Sequence, residues 1–236
     1  MQQNRVNILC TNILEDPLVE MAKKAGIDID LLPFIETSGI KIKTVLLDIK
    51  NNLTQSATVV FTSVNAVEAV AVHLEKEKPD WKIYCIGIVT NKAVKKYFGE
   101  HAIAGTATNA SELAGLIVAE GLSCKVTFFC GDQRRDELPD ILRKNGIRLH
   151  EIAVYQTIAI PQKVDKPYHG ILFFSPSAVD GFFSLNTIPT STILFAIGNT
   201  TANEIKKHTR NSIIVGVEHG KEMLVKRMME YYQQAR

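Results

Sequence analysis

The chain contains an internal repeat, and this feature limits its possible folds more than any other. Val6–Cys10 (VNILC) is similar to Val126–Cys130 (VTFFC), 120 residues further along, and Lys24–Ile27 is similar to Lys144–Ile147 at the same spacing. Three later matches keep the same order: Phe34–Thr37 with Val154–Thr157, Ser63–Glu68 with Ser175–Asp180, and Ile86–Thr90 with Ile197–Thr201. Ordered matches over most of a chain predict a duplicated structural unit.

Short apolar runs, separated by stretches of helical character, predict what kind of unit was duplicated. The runs are Val6–Cys10, Thr58–Phe61, Ile83–Ile86, Val126–Cys130, Gly170–Phe174, Ile193–Ile197 and Ser212–Val215. Buried strands that alternate with helices are typical of parallel sheets with helices on both faces. We therefore predict an α/β protein.

A chain of 236 residues can form one large α/β domain or two smaller ones, and the repeat favours two. Two segments of extended character, Leu31–Thr37 and Ile152–Thr157, occupy similar places in the two halves. We predict that they pair as a two-stranded linker, which would permit hinge motion between the domains.

Composition excludes several classes of protein. The formal charge of +2 predicts no strong affinity for nucleic acid or acidic membranes, and no apolar run approaches the roughly 18 residues of a membrane helix. The first residues contain no signal-peptide apolar region. We expect buried, reduced thiols at Cys10, Cys85, Cys124 and Cys130, because no CxxC pair occurs. These features predict a cytoplasmic protein.

Four turns that lead from a strand into a helix carry hydroxyl, amide or glycine residues. They are Phe61–Val67, Ile86–Thr90, Phe174–Val179 and Ile197–Thr201. Ligands of parallel sheets bind at such turns, where free N–H groups and hydroxyls suit carboxylate or phosphate. Taken singly, several residues also fit helix caps followed by an acid three positions later: Asn65 with Glu68, Ser177 with Asp180, Thr201 with Glu204, and Asn109 with Glu112. Together, the four turns favour a ligand site in a cleft.

Other catalytic motifs are absent from the sequence. It has no phosphate loop, no GxGxxG fingerprint, no GxSxG elbow and no metal-binding histidine spacing. The Arg134–Arg135 pair fits either a ligand carboxylate or a solvated loop. Tyr155 fits either a proton donor or a half-buried strand residue.

Six segments resemble the uroporphyrinogen-III synthase family, which acts in tetrapyrrole biosynthesis. They are Phe61–Ala69, Cys85–Thr90, Thr108–Leu113, Val154–Thr157, Phe173–Val179 and Ala196–Ala202, in the family's order. The most specific are Phe-Ser-Pro-Ser-Ala-Val and Ala-Ile-Gly-Asn-Thr-Thr-Ala. The chain departs at Thr11–Asn12, where many members have Arg-Pro, and at Asp132–Arg135, where many have Gly-Gly-Arg, so no substrate contact is carried over to these loops.

The resemblance implies two similar flavodoxin-like parallel-sheet domains, joined by a two-stranded β linker, with a cleft between them. The chain would cross over early, so that 1–34 plus 159–236 form one domain and 38–152 the other. The linker strands would lie near 32–37 and 153–158.

The implied reaction cyclises hydroxymethylbilane to uroporphyrinogen III, with loss of water and inversion of ring D through a spiro intermediate, and uses neither metal nor cofactor. Tyr155 matches the family tyrosine proposed to assist departure of the hydroxyl group. Substrate-binding roles pass to residues of the four turns: Thr62, Ser63, Asn65, Gly87, Thr90, Ser175, Ser177, Thr200 and Thr201. A monomer that contacts its substrate and, transiently, the preceding enzyme is expected.

Two rival hypotheses come from other classes. A non-catalytic binding or sensor protein for a small anionic ligand would also have a hinged cleft with hydroxyl-rich turns. A duplicated flavodoxin-like protein with FMN would be coloured. Turnover of hydroxymethylbilane separates the synthase from both.

Overall fold

The computed structural model describes residues 5–75, 78–121, 125–216 and 220–234. Within these ranges the strands are β1 Val6–Cys10, β2 Ile27–Leu31, β3 Ile35–Gly39, β4 Ala57–Phe61, β5 Trp81–Ile86, β6 Ile103–Ala107, β7 Val126–Gly131, β8 Leu149–Ala159, β9 Gly170–Phe173, β10 Ile193–Ala196 and β11 Ile213–Val215. The helices are α1 Asp16–Lys24, α2 Lys43–Leu53, α3 Val64–Ala71, α4 Ile88–Phe98, α5 Ala110–Ala119, α6 Glu137–Lys144, α7 Pro176–Phe183, α8 Asn199–His208 and α9 Lys221–Gln234.

All seven strands predicted from apolar runs are present, and their ends lie within two residues of the predicted ones. The prediction did not include β6, whose sequence IAGTA contains a glycine and two alanines and so forms no apolar run. Strand pairing holds this segment next to β5, and Ile103 and Ala107 at its two ends contact the apolar cores.

The strands form two sheets. One has five strands in the order β11-β10-β9-β1-β2, and the other has six in the order β3-β8-β7-β4-β5-β6. The neighbours from β11 to β2 in the first sheet, and from β8 to β6 in the second, run parallel. The predicted α/β fold with parallel sheets is confirmed.

The sequence repeat explains the order of the strands. Its matches pair β1 with β7, β4 with β9 and β5 with β10. If β8 is the counterpart of β2 and β11 is the counterpart of β6, the two sheets have the same strand order. The six-stranded sheet then differs only by the additional strand β3 at one edge. That shared order is the flavodoxin-like 2-1-3-4-5 arrangement. The copies therefore have the same architecture, but the chain enters them at different strands.

Helices cover both faces of each sheet, because successive buried residues of a strand point to opposite sides. Phe61 on β4 packs with α3 and α4, whereas its neighbour Val60 packs with α5 on the other face. In the five-stranded sheet, Leu9 packs with α7 and α8, and Ile8 with α1 and α9. Each sheet thus has two apolar cores of its own.

Contacts divide the chain into two compact units, Met1–Glu36 with Ile158–Arg236 and Thr37–Thr157. The strands β3 and β8 both cross this division, and they are hydrogen-bonded neighbours. They were predicted to pair with each other, and they do. In addition, β8 pairs with β7 from Leu149 to Tyr155, so that β3 and β8 extend the six-stranded sheet.

In the part of the chain that the structure describes, we find no helix with the length and hydropathy required to cross a bilayer.

Candidate active site

The turn between β4 and α3 contains three of the proposed binding residues. Thr62 follows the buried end of β4, and Ser63 is the N-cap of α3, where its Oγ accepts a hydrogen bond from the Asn65 backbone N–H at 3.2 Å. Asn65 therefore lies in the first helical turn. The predicted cap at Asn65 is wrong, because the helix begins two residues earlier than the capping pattern indicated.

The turn between β9 and α7 repeats this arrangement in the other unit. Ser175 is the N-cap of α7, and its Oγ accepts a hydrogen bond from the Ala178 backbone N–H at 3.2 Å. Pro176 occupies the first helical position, where its missing N–H costs nothing. The half-buried Ser177 follows, so that the predicted cap at Ser177 is wrong for the same reason as that at Asn65.

Glycines begin the other two helices. Gly87 precedes α4 with a φ of 84°, a left-handed conformation that favours glycine, whereas Gly198 precedes α8 in an extended conformation. Thr90 and Thr201 lie in the first turns of these helices and are only 5% and 3% exposed. Thr201 is thus a buried helical residue, so that its predicted capping role is also wrong. Thr200, its neighbour, is exposed.

The fourth predicted cap is confirmed. Asn109 caps α5, and its Oδ1 accepts a hydrogen bond from the Glu112 backbone N–H at 2.9 Å. Glu112 in turn accepts hydrogen bonds from the side chain and backbone N–H of Thr108. These bonds, that from the Thr108 hydroxyl above all, lower the pKa of Glu112. The Thr108–Leu113 segment, one of the six that resemble the family, thus stabilises the start of α5.

Tyr155 lies half-buried on β8, directly beside Gly131 at the end of β7. Its aromatic ring packs against the core formed by α2, α3, α4 and their strands. A Cβ atom placed on Gly131 would stand 2.7 Å from the Tyr155 hydroxyl oxygen, so that the phenol lies directly over the Gly131 backbone. The carboxyl ends of β7 and β4 flank the switch point of this sheet, where ligands of such folds bind.

A cavity of about 560 Å³ in the Thr37–Thr157 unit has both Asn65 and Tyr155 in its wall. Apolar side chains from α2, α3, β8 and the residue after β3 form much of the wall, whereas β3 itself contributes Thr37, Ser38 and Gly39. Lys41, His73 and Glu68 supply charged or titratable groups. Of the proposed site residues, these two are brought together in the cavity. Thr62, Ser63, Gly87 and Thr90 belong to the same unit outside its wall, and Ser175, Ser177, Thr200 and Thr201 belong to the other unit.

Sequence reasoning did not include Lys41 or His73 among the candidate residues. Lys41 follows β3 and His73 follows α3, and neither lies in a recognisable motif. Only the fold places them on the same cavity wall as Tyr155.

The loop after β7 differs from the two alternatives considered for its arginines at Arg134 only. Arg134 forms ion pairs with Asp136 and with the mostly buried Glu151, which also pairs with Arg143. Arg134 is therefore neutralised within the protein rather than free for a ligand carboxylate. Arg135 is exposed.

The described thiols are buried and unpaired, as predicted for Cys10, Cys85 and Cys130; Cys124 lies outside the described residues. Burial raises the pKa of Cys10 to about 12 and that of Cys130 to about 11, and it also raises that of Cys85. Because the thiolate is the reactive form, none of these three is an effective nucleophile at neutral pH.

One cluster of potential metal ligands occurs among the described residues. It consists of Asp180, Glu204 and His208. His208 Nε2 lies 2.9 Å from an Asp180 oxygen, and Lys207 pairs with Glu204 at 2.8 Å, so that the groups already have protein partners. Sequence spacing could not indicate the cluster, because Asp180 comes from α7 and the other two from α8.

A comparison with protein-family models decides the family. The model described as uroporphyrinogen-III synthase HemD matches residues 16–226 of the 236. The chain belongs to the uroporphyrinogen-III synthase family.

Relatives of this family are distant in sequence but similar in fold. The porphyrin biosynthesis protein HemD of Ruminiclostridium josui is 25% identical over 224 residues, which cover 84% of this chain and 42% of the relative. The chain thus spans less than half the length of this curated relative. Uroporphyrinogen-III synthetase from Helicobacter pylori superposes with a TM-score of 0.67 at 18% identity, over 96% of this chain and 99% of that one.

A mutant uroporphyrinogen-III synthase from Thermus thermophilus gives a TM-score of 0.58 at 14% identity, over 98% of this chain and all of the other. At such identities the likeness extends to the fold alone.

The departure from the family pattern at Thr11–Asn12 has a structural role in this chain. Thr11 is buried, and its hydroxyl donates to the Leu172 carbonyl oxygen at 2.8 Å, which joins the ends of β1 and β9. The Asn12 side chain accepts from Lys221 Nζ at 2.8 Å. Both side chains therefore stabilise the turn after β1.

Proposed function

We propose that this chain is a uroporphyrinogen-III synthase that cyclises hydroxymethylbilane, with loss of water and inversion of ring D, without metal or cofactor. The observation that carries the proposal is the match to the family model over residues 16–226. The parallel-sheet fold and the hydroxyl-rich turns at its helix starts support it. The two compact units are, in this proposal, the two domains of the enzyme.

The substrate carries eight carboxylates, whereas the chain carries a formal charge of only +2. Local dipoles are therefore proposed to hold most of these groups. The starts of α3, α4, α7 and α8 offer backbone N–H groups, and Thr62, Ser63, Asn65, Ser175, Ser177 and Thr200 add side-chain donors. Gly87 allows a carboxylate to approach the backbone closely. The buried Thr90 and Thr201 support these helix starts from within rather than through exposed hydroxyls.

The Tyr155 phenol is proposed to assist the first bond cleavage. As the pyrrole nitrogen of ring A supplies electrons, the bond between the hydroxymethyl carbon and its oxygen breaks. The departing oxygen takes a proton and leaves as water, and ring A loses its N–H proton, so that the net change is the loss of one water and the azafulvene is neutral. A phenol O–H that donates a hydrogen bond to this oxygen stabilises the charge that develops on it. The azafulvene that remains is then attacked by ring D to form the spiro intermediate.

Control of conformation is the second task, because spontaneous closure of hydroxymethylbilane gives the uninverted isomer I. Holding ring D so that its bridge-bearing carbon faces the azafulvene favours the spiro route over direct closure. The cavity beside Tyr155 lies within the range of about 300–1,000 Å³ found for small-molecule sites. Its apolar wall suits one pyrrole ring, and Lys41 and His73 suit the carboxylates of that ring.

The enzyme is proposed to act as a monomer in the cytoplasm, with transient contact with the enzyme that supplies hydroxymethylbilane. The substrate is unstable and closes spontaneously, so that rapid transfer between the two enzymes would limit formation of isomer I.

The test is an assay with hydroxymethylbilane generated in place by the preceding enzyme, followed by oxidation and chromatographic separation of the isomers. We expect isomer III in excess at a rate proportional to protein concentration. Heat-treated protein serves as the control and should yield isomer I. Isomer I alone with the native protein, at the spontaneous rate, would refute the proposal, and retention of ligand without turnover would favour the rival binding protein.

A further inference from the structure

The strand that carries Tyr155 has an extra residue where it passes the end of β7. Phe129 pairs with Ile152 and Cys130 with Ala153, but Gly131 then pairs with Tyr155, so that Val154 is inserted in the ladder. Because side chains alternate along a strand, one inserted residue turns the next side chain to the opposite face. Ile152, Val154 and Tyr155 consequently all contact the same apolar core. The bulge directs Tyr155 to the face that carries the cavity.

Gly131 provides the space that this ring needs. The ring carbon Cζ lies 2.5 Å and the hydroxyl oxygen 2.7 Å from the position that a Cβ on Gly131 would occupy. The Gly131 backbone does not have a positive φ, and an alanine could adopt its conformation. The glycine is therefore required by the close approach of Tyr155 rather than by the backbone.

Asp132, the next residue, holds β8 at two positions just after the bulge. Its backbone N–H donates to the Tyr155 carbonyl oxygen at 3.0 Å, and its Oδ1 accepts from the Thr157 backbone N–H at 3.0 Å. Two hydrogen bonds from one residue to neighbouring positions of β8 restrict rotation of the backbone that bears the phenol.

We propose that Gly131 and Asp132 are positioning residues that hold the Tyr155 phenol toward the cavity. Gly131 admits the ring, the inserted Val154 turns it, and the Asp132 carboxylate fixes the strand that carries it. The inference rests on the proposed function, since the phenol needs such orientation only if it assists loss of the substrate hydroxyl. A misplacement of about 1 Å at a reacting group can lower a rate roughly a hundredfold.

The Asp132 side chain is tested with a conservative pair of variants. Asp132→Asn keeps an oxygen that accepts from the Thr157 N–H, whereas Asp132→Ala removes it. We expect Asp132→Ala to lower kcat by about tenfold with KM changed less than about twofold, and Asp132→Asn to retain most of the wild-type rate. Amide NMR should show faster hydrogen exchange at Thr157 in Asp132→Ala only, independently of any activity. Equal loss in both variants, or no loss in either, would overturn the role of the carboxylate.

Gly131 is tested with a double-mutant cycle. Gly131→Ala should lower kcat when Tyr155 is present. The double variant should have the same kcat as Tyr155→Phe alone, because Tyr155→Phe has no phenol to misplace. Gly105→Ala is the matched control: its Cβ would meet the ring of Tyr84 at 2.8 Å, and neither residue lines the cavity. We expect kcat to be unchanged in this control, with both alanine variants checked by circular dichroism.

The outcomes separate this inference from the proposed function. Wild-type protein that produces only isomer I overturns both. Full activity of Tyr155→Phe with isomer III formed leaves the synthase function but removes the positioning role. Equal losses from Gly131→Ala in the wild-type and Tyr155→Phe backgrounds show a general structural effect and likewise overturn the inference.

Discussion

At the scale of single residues, Tyr155 combines a polar group with a mostly apolar environment. Its ring contributes to the core, the residue lines the cavity, and its hydroxyl lies over the Gly131 backbone. Removing the hydroxyl while keeping the ring therefore separates the chemical role of this residue from its packing role.

We predict that Tyr155→Phe lowers kcat for isomer III by roughly a hundredfold, the lower end of typical acid–base contributions. The urea midpoint should stay close to that of the wild type, because the ring that contacts the core remains. Steady-state isomer assays and denaturant unfolding measure the two quantities. A variant with full turnover would remove the phenol from the mechanism.

The two serine caps give a matched prediction about stability. Ser63→Ala and Ser175→Ala each remove one side-chain acceptor at a helix start, and each should lower the free energy of unfolding by about 1 kcal/mol. Ser63→Gly and Ser175→Gly should each lower the free energy of unfolding by only a few tenths of a kcal/mol. Turnover should change modestly in the alanine variants, because each substrate carboxylate has several donors. Urea unfolding distinguishes these expectations, and similar losses for alanine and glycine would contradict the capping role.

At the scale of elements, the turns before α4 and α8 show how far a repeat can diverge while the helices remain. Both begin at a glycine in similar sequences, yet Gly87 has a φ of 84° and Gly198 is extended. Identical residues thus have different conformational demands, which the sequence pattern alone cannot distinguish.

Alanine should therefore change the free energy of unfolding differently at these two glycines. Gly87→Ala places a side chain in a left-handed conformation and should lower the free energy of unfolding by about 1–2 kcal/mol. Gly198→Ala leaves an allowed backbone, meets no described atom within 4 Å, and should be neutral or slightly stabilising. Denaturant midpoints of the two variants provide the comparison, and equal destabilisation would show that the difference in φ has no energetic consequence.

A pH-dependent contact joins β2 to the loop before β9. Partial burial raises the pKa of Asp30, but hydrogen bonds from Lys166 and Tyr168 outweigh it, so that the pKa lies below its ordinary value. A lowered carboxyl pKa contributes stability above the unfolded-state pKa, about 3.9, and this contribution is lost as the pH falls through the folded-state value.

We therefore predict that Asp30→Asn is less stable than the wild type at pH 7, by less than about 1 kcal/mol because the Asp30–Lys166 pair is exposed. The difference should shrink as the pH falls below about 4. Urea unfolding of both proteins from pH 7 to about pH 3 measures it. A constant difference over that interval would exclude the carboxylate as its origin.

The accuracy of the sequence-based predictions also depends on scale. A buried strand such as Val126–Gly131 was predictable because four of its six residues have apolar side chains, as a strand between two helix layers requires. Helix starts were less so: Ser63 and Ser175 cap α3 and α7, although the acid spacing pointed to Asn65 and Ser177. Local patterns with several hydroxyls allow more than one register, and tertiary packing selects between them.

The candidate site was predictable only in part. Tyr155 and Asn65 could be named from the sequence, but their common cavity wall depends on the pairing of β3 with β8. The space at Gly131 depends on a bulge that moves the register by one residue, and no sequence pattern indicates that insertion.

At the scale of the whole molecule, the two units have separate cores. The cores that contain Phe61 and Phe128 use residues of Thr37–Thr157 alone, and those that contain Leu9 and Ile8 use residues of the other unit. Each unit therefore has the apolar contacts that a folding domain requires.

We predict that a fragment spanning 37–157 folds alone. Its circular dichroism should be that of an α/β protein, and its urea unfolding should be cooperative with a single transition. A fragment of residues 1–36 serves as the control and should be unfolded, because β1 lacks its partner β9. Failure of the 37–157 fragment to unfold cooperatively would show that the two units stabilise each other.

The place of β1 in its sheet has a consequence for synthesis on the ribosome. β1 is synthesised well before β9, yet Ile8 pairs with Gly170, so that β1 has no β9 partner until about 160 further residues have been made. By then every strand from β4 to β8 is available. The Thr37–Thr157 unit can therefore fold during translation. Meanwhile the β1–β2 segment keeps one strand edge unpaired, and it is the part of the nascent chain that molecular chaperones would need to protect.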